Sequence, residues 1–457
     1  MAYDDNNREL EDRGLSVSAF EPPRYATLTD VGVKRSHNQD ACAAKPAVDA
    51  ATFASCGHIF IVADGMGGHA VGEKASVKAV RDIPHLYQKH VHEGVIAALR
   101  RAFAETNTGI HEIGQQNPEF RGMGTTSTAL ILRPEGAWIG HVGDSRAYRI
   151  RGNTVEQLTF DHSWVWEIAR RTGVDPDELG DFKKNVIIRS LGPDPEVEVD
   201  IEGPHPVQPG DIFLLCSDGL TGLVKPEEIG AIVNVLSLES AVRLLVHLAN
   251  LRGGPDNITV ILVRVPGGPH DPGAPRYSSS SFTRLRETLS RHWPVWTILT
   301  GSVCALLSLF LHLQELKTLS LPLFLLGALI ILVGIIGLVH SLLRTPSDTG
   351  EANVPLTDPE LEQPRSLNIY RQHDCTITPE RLSQFAETEQ QLITALKEHN
   401  IPVDWEAHAQ LAGAEDGDLR DAFRLRCEAI LLLADAFHKA RHKQESFQPS
   451  WTSPQQR

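Results

Sequence analysis

"IFIVADGMGGHA", residues 59–70, joins a strongly apolar run to one aspartate and three glycines. The apolar run predicts a buried strand, and Asp64 and Gly65 stand where that strand should end. A second segment, "IFLLCSDGL" (212–220), repeats the order with Asp218. An aspartate at such a place either accepts hydrogen bonds from turn amides, which is a structural role, or takes part in chemistry.

Two further aspartates favour the chemical interpretation. In "AWIGHVGDSRAYRI" (137–150) Asp144 lies between two predicted strands, and in "RGGPDNITVILV" (252–263) Asp256 precedes another. If these strand ends meet at one edge, the carboxylates repel one another unless cations neutralise them. Hard divalent ions that take oxygen ligands, Mg²⁺ or Mn²⁺, fit such a cluster.

A carboxylate site with two divalent ions suits phosphoryl chemistry. Such ions bind a phosphoryl oxygen and lower the pKa of a water, which then attacks phosphorus. A phosphate also calls for a cation with a planar fork of donors, and "GVKRSHNQD" (32–40) supplies Arg35, with Asp40 close behind it. The sequence therefore predicts a metal-dependent phosphoryl hydrolase.

Eight segments carry a family resemblance, and they occur in the family's order: "GVKRSHNQD", "VADGMGGH", "MGTTSTALIL", "GHVGDSRAYRI", "LTFDHS", "RSLG", "PGDIFLLCSDGL" and "GGPDNITVILV". Over residues 24–265 the chain resembles the metal-dependent type 2C serine/threonine protein phosphatases (the PPM family) in their bacterial form. The resemblance implies an α+β fold, a four-layer α-β-β-α sandwich of two antiparallel sheets, with the metals in a cleft at one end.

The resemblance also implies roles for individual residues. Asp64 would bridge two tightly bound Mn²⁺ or Mg²⁺ ions, and the carbonyl of Gly65 would bind the second. Asp218 and Asp256 would complete the first metal, and Asp144 with Asp218 would hold a third, more weakly bound ion. Arg35 would bind the substrate phosphate. Asp40 would act in the shell of the second metal, directly or through water.

Two positions depart from the family pattern. Gln39 stands where many members have glutamate, and Met66 stands where eukaryotic members have a histidine proposed as general acid. His37, His69 and His162 are near the motifs, but each is more often a structural or surface histidine. The general acid therefore stays unassigned. Residues 164–189 occupy the place of the family's flap beside the cleft and are expected to gate substrate access.

Composition limits the other classes of function. The formal charge of −15 argues against nucleic acid as a partner, and the six scattered cysteines form no C-x-x-C pair that would indicate zinc. The expected function is hydrolysis of phosphoserine and phosphothreonine in proteins by a metal-activated water, opposing a Ser/Thr kinase in signalling. The alternative is a catalytically weak, membrane-anchored adaptor that binds phosphoproteins.

Apolar runs at 297–313 and 319–343 contain no Asp, Glu, Lys or Arg and predict a transmembrane hairpin; a pair of buried soluble helices is the alternative. Arginines flank both outer ends, which predicts a multi-pass protein of the inner (cytoplasmic) membrane with its catalytic domain in the cytoplasm. If the shorter first run does not cross, a single span would place the C-terminal region outside.

The predicted organisation has seven parts: a disordered lead (1–20), the catalytic domain (21–266), a linker (267–296), the two-helix hairpin (297–343), a second linker (344–365), a helical module (366–443) and a tail (444–457). In the module, Thr378 is predicted to cap a helix that has Pro379 at its first position. The module carries no recognisable chemistry and is a candidate for recruiting a protein partner.

Overall fold

The computed structural model describes residues 21–67, 71–179, 186–267, 367–412 and 418–444, with the single positions 308 and 328. Apart from those two positions, these residues belong to one compact unit. The predicted lead at 1–20, both linkers and the hairpin at 297–343 lie outside the described residues, except for residue 267 and the two single positions. No helix within the described ranges is long and apolar enough to cross a membrane.

Twelve strands are described: β1 (Arg24–Asp30), β2 (Asp40–Lys45), β3 (His58–Met66), β4 (Gly124–Thr125), β5 (Ser127–Arg133), β6 (Gly136–Val142), β7 (Arg146–Arg151), β8 (Thr154–Gln157), β9 (Asp200–His205), β10 (Ile212–Cys216), β11 (Ile258–Arg264) and β12 (Arg371–Asp374). The α-helices in the described ranges are α1 (Ala50–Cys56), α2 (Val71–His90), α3 (Val95–Gln116), α4 (Trp164–Thr172), α5 (Asp218–Thr221), α6 (Pro226–Val235), α7 (Leu238–Leu251), α8 (Pro379–Glu398), α9 (Trp405–Ala412) and α10 (Leu419–Gln444).

The strands form two antiparallel sheets. The first has the order β1-β11-β10-β7-β8-β12, and the second has the order β2-β3-β5-β6-β9, with the short β4 paired to the end of β3. Every strand pair is antiparallel. The predicted α+β fold with two antiparallel sheets is confirmed.

The alternation of side chains along β3 explains how this strand contributes to two layers of the core. Ile59 and Ile61 pack toward α2 and α3, whereas Phe60 and Val62 point to the other face and meet the first sheet. In β10, Phe213 belongs to the same contact between the sheets. Because successive residues of a strand face opposite sides, one apolar run serves two layers of the core. A strand that is buried on both faces is therefore apolar throughout, as residues 59–63 of β3 are.

The C-terminal region packs on the outer face of the first sheet. The predicted helix start is confirmed, since Arg381 N donates to Thr378 Oγ1 at 3.3 Å. Phe385 in α8 and Phe423 in α10 share one apolar core with α6 and α7. Residues 371–374, for which the sequence indicated no strand, pair with the edge strand β8. The module is thus continuous with the sheet and core of the catalytic region.

Candidate active site

The five predicted acidic ligands lie at the ends of strands. Asp40 opens β2 and stands opposite Asp64 of β3 in the antiparallel register. Asp144 lies between β6 and β7, Asp218 follows β10 as the first residue of α5, and Asp256 lies between α7 and β11. The antiparallel arrangement turns all these ends toward one edge of the sandwich, so the structure brings the five together.

Electrostatics show how closely the carboxylates are gathered. Burial raises the pKa of Asp64 well above its ordinary value, and the charges of Asp40, Asp218, Asp144 and Asp256 raise it further. Burial likewise raises the pKa of Asp40 to about 7 and that of Asp218 to about 6, with neighbouring aspartates adding to both. Removal from water disfavours a charged carboxylate, and like charges nearby disfavour it again. The site therefore calls for positive charge.

Three buried carboxylate oxygens without hydrogen-bond donors also indicate that the site needs positive charge. The Oδ1 atoms of Asp40, Asp144 and Asp218 are buried and accept no hydrogen bond. In the described part of the chain, no three acidic, histidine or cysteine side chains are close enough to hold a metal ion by themselves. Mg²⁺ and Mn²⁺ prefer oxygen donors, and Mg²⁺ usually binds through one or two carboxylates and keeps several waters. The residues present fit hydrated divalent ions.

Hydroxyl groups fix the two central aspartates. The Asp64 amide donates to Thr126 Oγ1 at 2.9 Å, and Thr125 Oγ1 donates to the Asp64 carbonyl at 2.9 Å. Ser217 Oγ donates to Asp40 Oδ2 at 2.7 Å. The threonines of "MGTT" thus hold the backbone of the site, and Ser217 holds one oxygen of a candidate ligand. Sequence reasoning had assigned Ser217 no role.

Gly65 is required by a close backbone approach. A Cβ atom there would lie 2.2 Å from the Gly72 carbonyl oxygen, which no side chain tolerates. The Gly65 amide donates to the Gln39 carbonyl at 3.1 Å. The side-chain amide of Gln39 donates to the Gly67 carbonyl at 3.3 Å. Gln39 therefore supports the glycine turn with its backbone and its side chain.

Arg35 contacts the candidate ligand set directly. Its Nη2 donates to Asp256 Oδ2 at 2.8 Å, while the Asn257 amide donates to Asp256 Oδ1 at 2.8 Å. The Arg35 side chain is about half exposed at 49%. The guanidinium predicted to bind phosphate is therefore beside the carboxylates and open to solvent, and it neutralises one of them.

Two of the three histidines near the motifs, His37 and His162, belong to the described residues. His162 is buried; its Nδ1 accepts from the Gly143 amide at 3.0 Å, and its Nε2 lies 3.1 Å from Asp200 Oδ2. Its ring also packs against that of His141 in a tilted arrangement, with centroids 4.8 Å apart. These contacts give His162 a structural role. His37 is exposed in the loop before β2, and His69 lies outside the described residues.

A cavity of about 800 Å³ opens over the carboxylates, and Arg35, Asp144, Asp218 and Asp256 are among its lining residues. Asp40 and Asp64 are not among its lining residues. Further lining residues were not singled out from the sequence: Arg146, Asp161, Trp166, Asp177, Arg371 and His373. Arg146 and Asp161 belong to the motifs "GDSRAYRI" and "LTFDHS", and Trp166 and Asp177 belong to the predicted flap at 164–189, whereas Arg371 and His373 carried no signal in the sequence.

Arg146 and Asp161 form a buried ion pair in the cavity wall. Arg146 Nη2 lies 2.7 Å from Asp161 Oδ2, and its Nε donates to both carboxylate oxygens. The guanidinium also lies over the Trp166 ring, 5.5 Å from its centroid. The pair is neutral as a whole, so it joins the carboxylate cluster to α4 without adding net charge.

Several known proteins are similar to this chain in sequence. Residues 33–250 match the family described as protein phosphatase 2C. The chain is 38% identical over 243 residues to the serine/threonine phosphatase stp of Listeria welshimeri, which is 51% of this chain and 93% of the relative. It is 39% identical over 242 residues to the protein phosphatase PhpP of Streptococcus pneumoniae, which is 52% of this chain and 95% of that protein.

Among solved structures, the serine/threonine phosphatase PstP/Ppp of Mycobacterium tuberculosis is 31% identical and has a TM-score of 0.49; the match covers 54% of this chain and all of that one. The catalytic domain of PstP in complex with two manganese ions gives a TM-score of 0.46 at 31% identity, over 54% of this chain and 99% of that one. With the curated relatives covered almost completely, this chain belongs to the type 2C protein phosphatase family and is a protein-serine/threonine phosphatase.

Proposed function

We propose that this phosphatase acts with two bound divalent ions, Mn²⁺ or Mg²⁺, at the aspartate cluster, with a third and weaker ion at Asp144. The observation that carries the proposal is the set of buried, unpartnered Oδ1 atoms on Asp40, Asp144 and Asp218. Burial and neighbouring carboxylates raise the pKa values of four members of the cluster, Asp40, Asp64, Asp144 and Asp218, so their charged forms are unfavourable alone and favourable around cations. The adaptor alternative would be marked by loss of these aspartates, and all are present.

Each ligand has a role in this proposal. Asp64 would serve both tightly bound ions and the Gly65 carbonyl the second, Asp218 and Asp256 would serve the first, and Asp144 with Asp218 would serve the third. When bound, the ions supply positive charge to phosphoryl oxygens and lower the pKa of a water. Ser217 occupies Oδ2 of the remaining ligand, Asp40, and so leaves its Oδ1 for an ion or its water.

In this proposal Arg35 binds the phosphate of the substrate. Its planar fork of donors suits a phosphate dianion, and its exposure lets the substrate reach it. The ion pair with Asp256 holds the guanidinium at the edge of the cluster before substrate arrives. If Asp256 coordinates a divalent ion, that ion compensates the carboxylate charge in place of Arg35. The guanidinium is then available to bind phosphate. Metal binding and phosphate binding are therefore expected to reinforce each other.

Calorimetric titration with Mn²⁺ tests the metal assignment in the full chain purified in detergent. We expect two tight sites in the unchanged protein and weakened binding at both in Asp64→Asn, because one bridging carboxylate is lost. Asp144→Asn should keep the two tight sites and lose only weak binding. Unchanged tight binding in Asp64→Asn would contradict the assignment.

We further propose that residues 297–343 tether the protein to the inner membrane as a hairpin, with the phosphatase in the cytoplasm, where it opposes a Ser/Thr kinase. The uncharged runs support the tether. The position of β12 supports the hairpin, because β12 follows these runs in the chain and pairs with β8 of the catalytic region. Strands of one sheet must share a compartment, so the intervening segment crosses an even number of times.

Reporter fusions test this topology. An enzyme active only in the periplasm, fused after Arg457, is expected to give no signal, whereas the same enzyme fused after Glu315, between the two runs, should give a strong one. A signal from the fusion at Arg457 would contradict the hairpin. No signal from either fusion would mean that neither run crosses.

A further inference from the structure

The C-terminal strand β12 forms part of the wall of the active-site cavity. Arg371 and His373 line the cavity from this strand, and Asp218 and Asp256 of the carboxylate cluster line the same cavity. These two side chains come from a segment more than a hundred residues beyond the last motif of the family resemblance. The cavity is therefore completed by a part of the chain that lies outside the region matched by the family.

Arg371 binds the segment that the sequence predicted to be the flap. Its Nη2 lies 3.1 Å from Asp175 Oδ1 and 2.5 Å from Asp177 Oδ2, in and beside the short 3₁₀ turn Pro176–Glu178. Its guanidinium carbon lies 5.9 Å from the centre of the Trp166 ring in α4. One cation thus contacts both described elements of the flap.

The two sides of this contact differ in burial. The Arg371 side chain is only 14% exposed, whereas those of Asp175 and Asp177 are 44% and 68% exposed. Arg371 is fixed through its strand, where it pairs with Gln157. Arg371 is therefore the fixed side of the ion pairs, and it holds the more exposed Asp175 and Asp177 in place.

Neighbouring residues brace the strand. Tyr370 donates a hydrogen bond to Glu202 and packs on Phe160, with ring centroids 5.6 Å apart. Phe160 in turn meets Trp166 edge to face at 5.1 Å. On the other side of Arg371, His373 Nδ1 lies 2.7 Å from Glu227 Oε1. The contacts form one continuous path from the C-terminal strand to the flap.

We propose that Arg371 is a positioning residue that holds the flap against the cavity, so that the C-terminal module sets how phosphoprotein substrates are bound. This proposal rests on the phosphatase function above. A small phosphate ester needs only the carboxylate end of the cavity, whereas a phosphopeptide extends along the wall toward the flap. Without Arg371, Asp175 and Asp177 would lose this cationic contact, and the turn that carries them would lose its ion pairs to β12.

Steady-state kinetics on the full chain test the proposal, with a phosphothreonine peptide and p-nitrophenyl phosphate as substrates. Arg371→Ala is expected to raise KM for the peptide about five-fold, equivalent to about 1 kcal/mol, and to leave kcat/KM for p-nitrophenyl phosphate within about two-fold. Arg371→Lys should lie between, because a lysine keeps the charge but lacks the fork that reaches two carboxylates.

Arg243→Ala is the matched control. Arg243 pairs with Asp435 across the contact between α7 and α10, so it joins the same two regions without lining the cavity. Its peptide KM should stay unchanged. Asp177→Asn should raise the peptide KM less than Arg371→Ala, and the two changes combined should fall short of additive.

Some outcomes would overturn the proposal. An equal peptide KM in Arg371→Ala and Arg243→Ala would do so, as would parallel losses on both substrates. Additive effects of Arg371→Ala and Asp177→Asn would also contradict it. Failure of the unchanged protein to hydrolyse p-nitrophenyl phosphate would contradict the catalytic function itself, whereas the other results bear on Arg371 alone.

Discussion

Replacing Asp218 by asparagine should stabilise the metal-free protein. Burial and the neighbouring carboxylates raise the pKa of Asp218 from 3.8 to about 6. A folded-state pKa above the unfolded value means that stability is lost as pH rises through about 6. Because one pKa unit corresponds to about 1.4 kcal/mol, the ionised carboxylate costs the fold about 3 kcal/mol at pH 7.5. Asp218→Asn removes this cost, which corresponds to about 6 °C in Tm.

Thermal unfolding of the full chain in EDTA and in Mn²⁺ measures the effect. In EDTA at pH 7.5 the variant should melt higher than the unchanged protein, and the difference should vanish below about pH 3, where the carboxylate is protonated in both states. In Mn²⁺ at 1,000 times Kd the order should reverse, because the metal then adds about 4.1 kcal/mol where the site is intact, which exceeds the gain of about 3 kcal/mol in the variant.

Asp82→Asn, on the surface of α2, provides the control for this prediction. Asp82 lies outside the cluster and pairs with Lys78 and Arg81, which lower its pKa. Its removal should lower Tm slightly and leave the response to Mn²⁺ unchanged. The reasoning would be refuted if Asp218→Asn melted no higher than the unchanged protein in EDTA, or if Mn²⁺ raised both by the same amount.

Three further predictions follow from single contacts at the site. Gln39→Glu should lower the Mn²⁺ concentration for half-maximal activity, because it adds a carboxylate beside the second ion; equal midpoints would mean that position 39 does not reach the metal shell. Ser217→Ala should destabilise the protein by about 1–3 kcal/mol in chemical unfolding, since the buried Asp40 carboxylate loses its donor; an unchanged midpoint would count against that contact. Gly65→Ala should cost roughly 3 kcal/mol or more, because its Cβ would overlap the Gly72 carbonyl at 2.2 Å; a soluble, fully active variant would show that the turn can open.

Local patterns predicted the elements that carry the site. The apolar runs before Asp64 and Asp218 are strands because they are buried on both faces, and the glycines after them permit close turns. The sequence also predicts a helix over 238–251, which Gly253 and Gly254 would end, and α7 has those bounds. It predicts another over 92–114, where apolar residues share one face; α3 begins later, at Val95, because Gly94 has φ 98° and ends a short 3₁₀ turn.

Other features depend on contacts that no local pattern carries. The Arg35–Asp256 pair joins residues more than two hundred positions apart, and their spacing in the chain gives no sign of it. Strand β12 reads "RQHD", four polar residues without the alternation typical of a strand, and it forms only because β8 offers an open edge. The place of the C-terminal module followed from this pairing and could not be inferred from its helices.

Phosphate release from a phosphothreonine peptide by the full chain tests the central claim most directly. We expect release with Mn²⁺, its loss in EDTA, its return when Mn²⁺ is added back, and none from Asp64→Asn protein that melts cooperatively. Hydrolysis that continues undiminished in EDTA, or in Asp64→Asn, would contradict catalysis by divalent ions at the aspartate cluster.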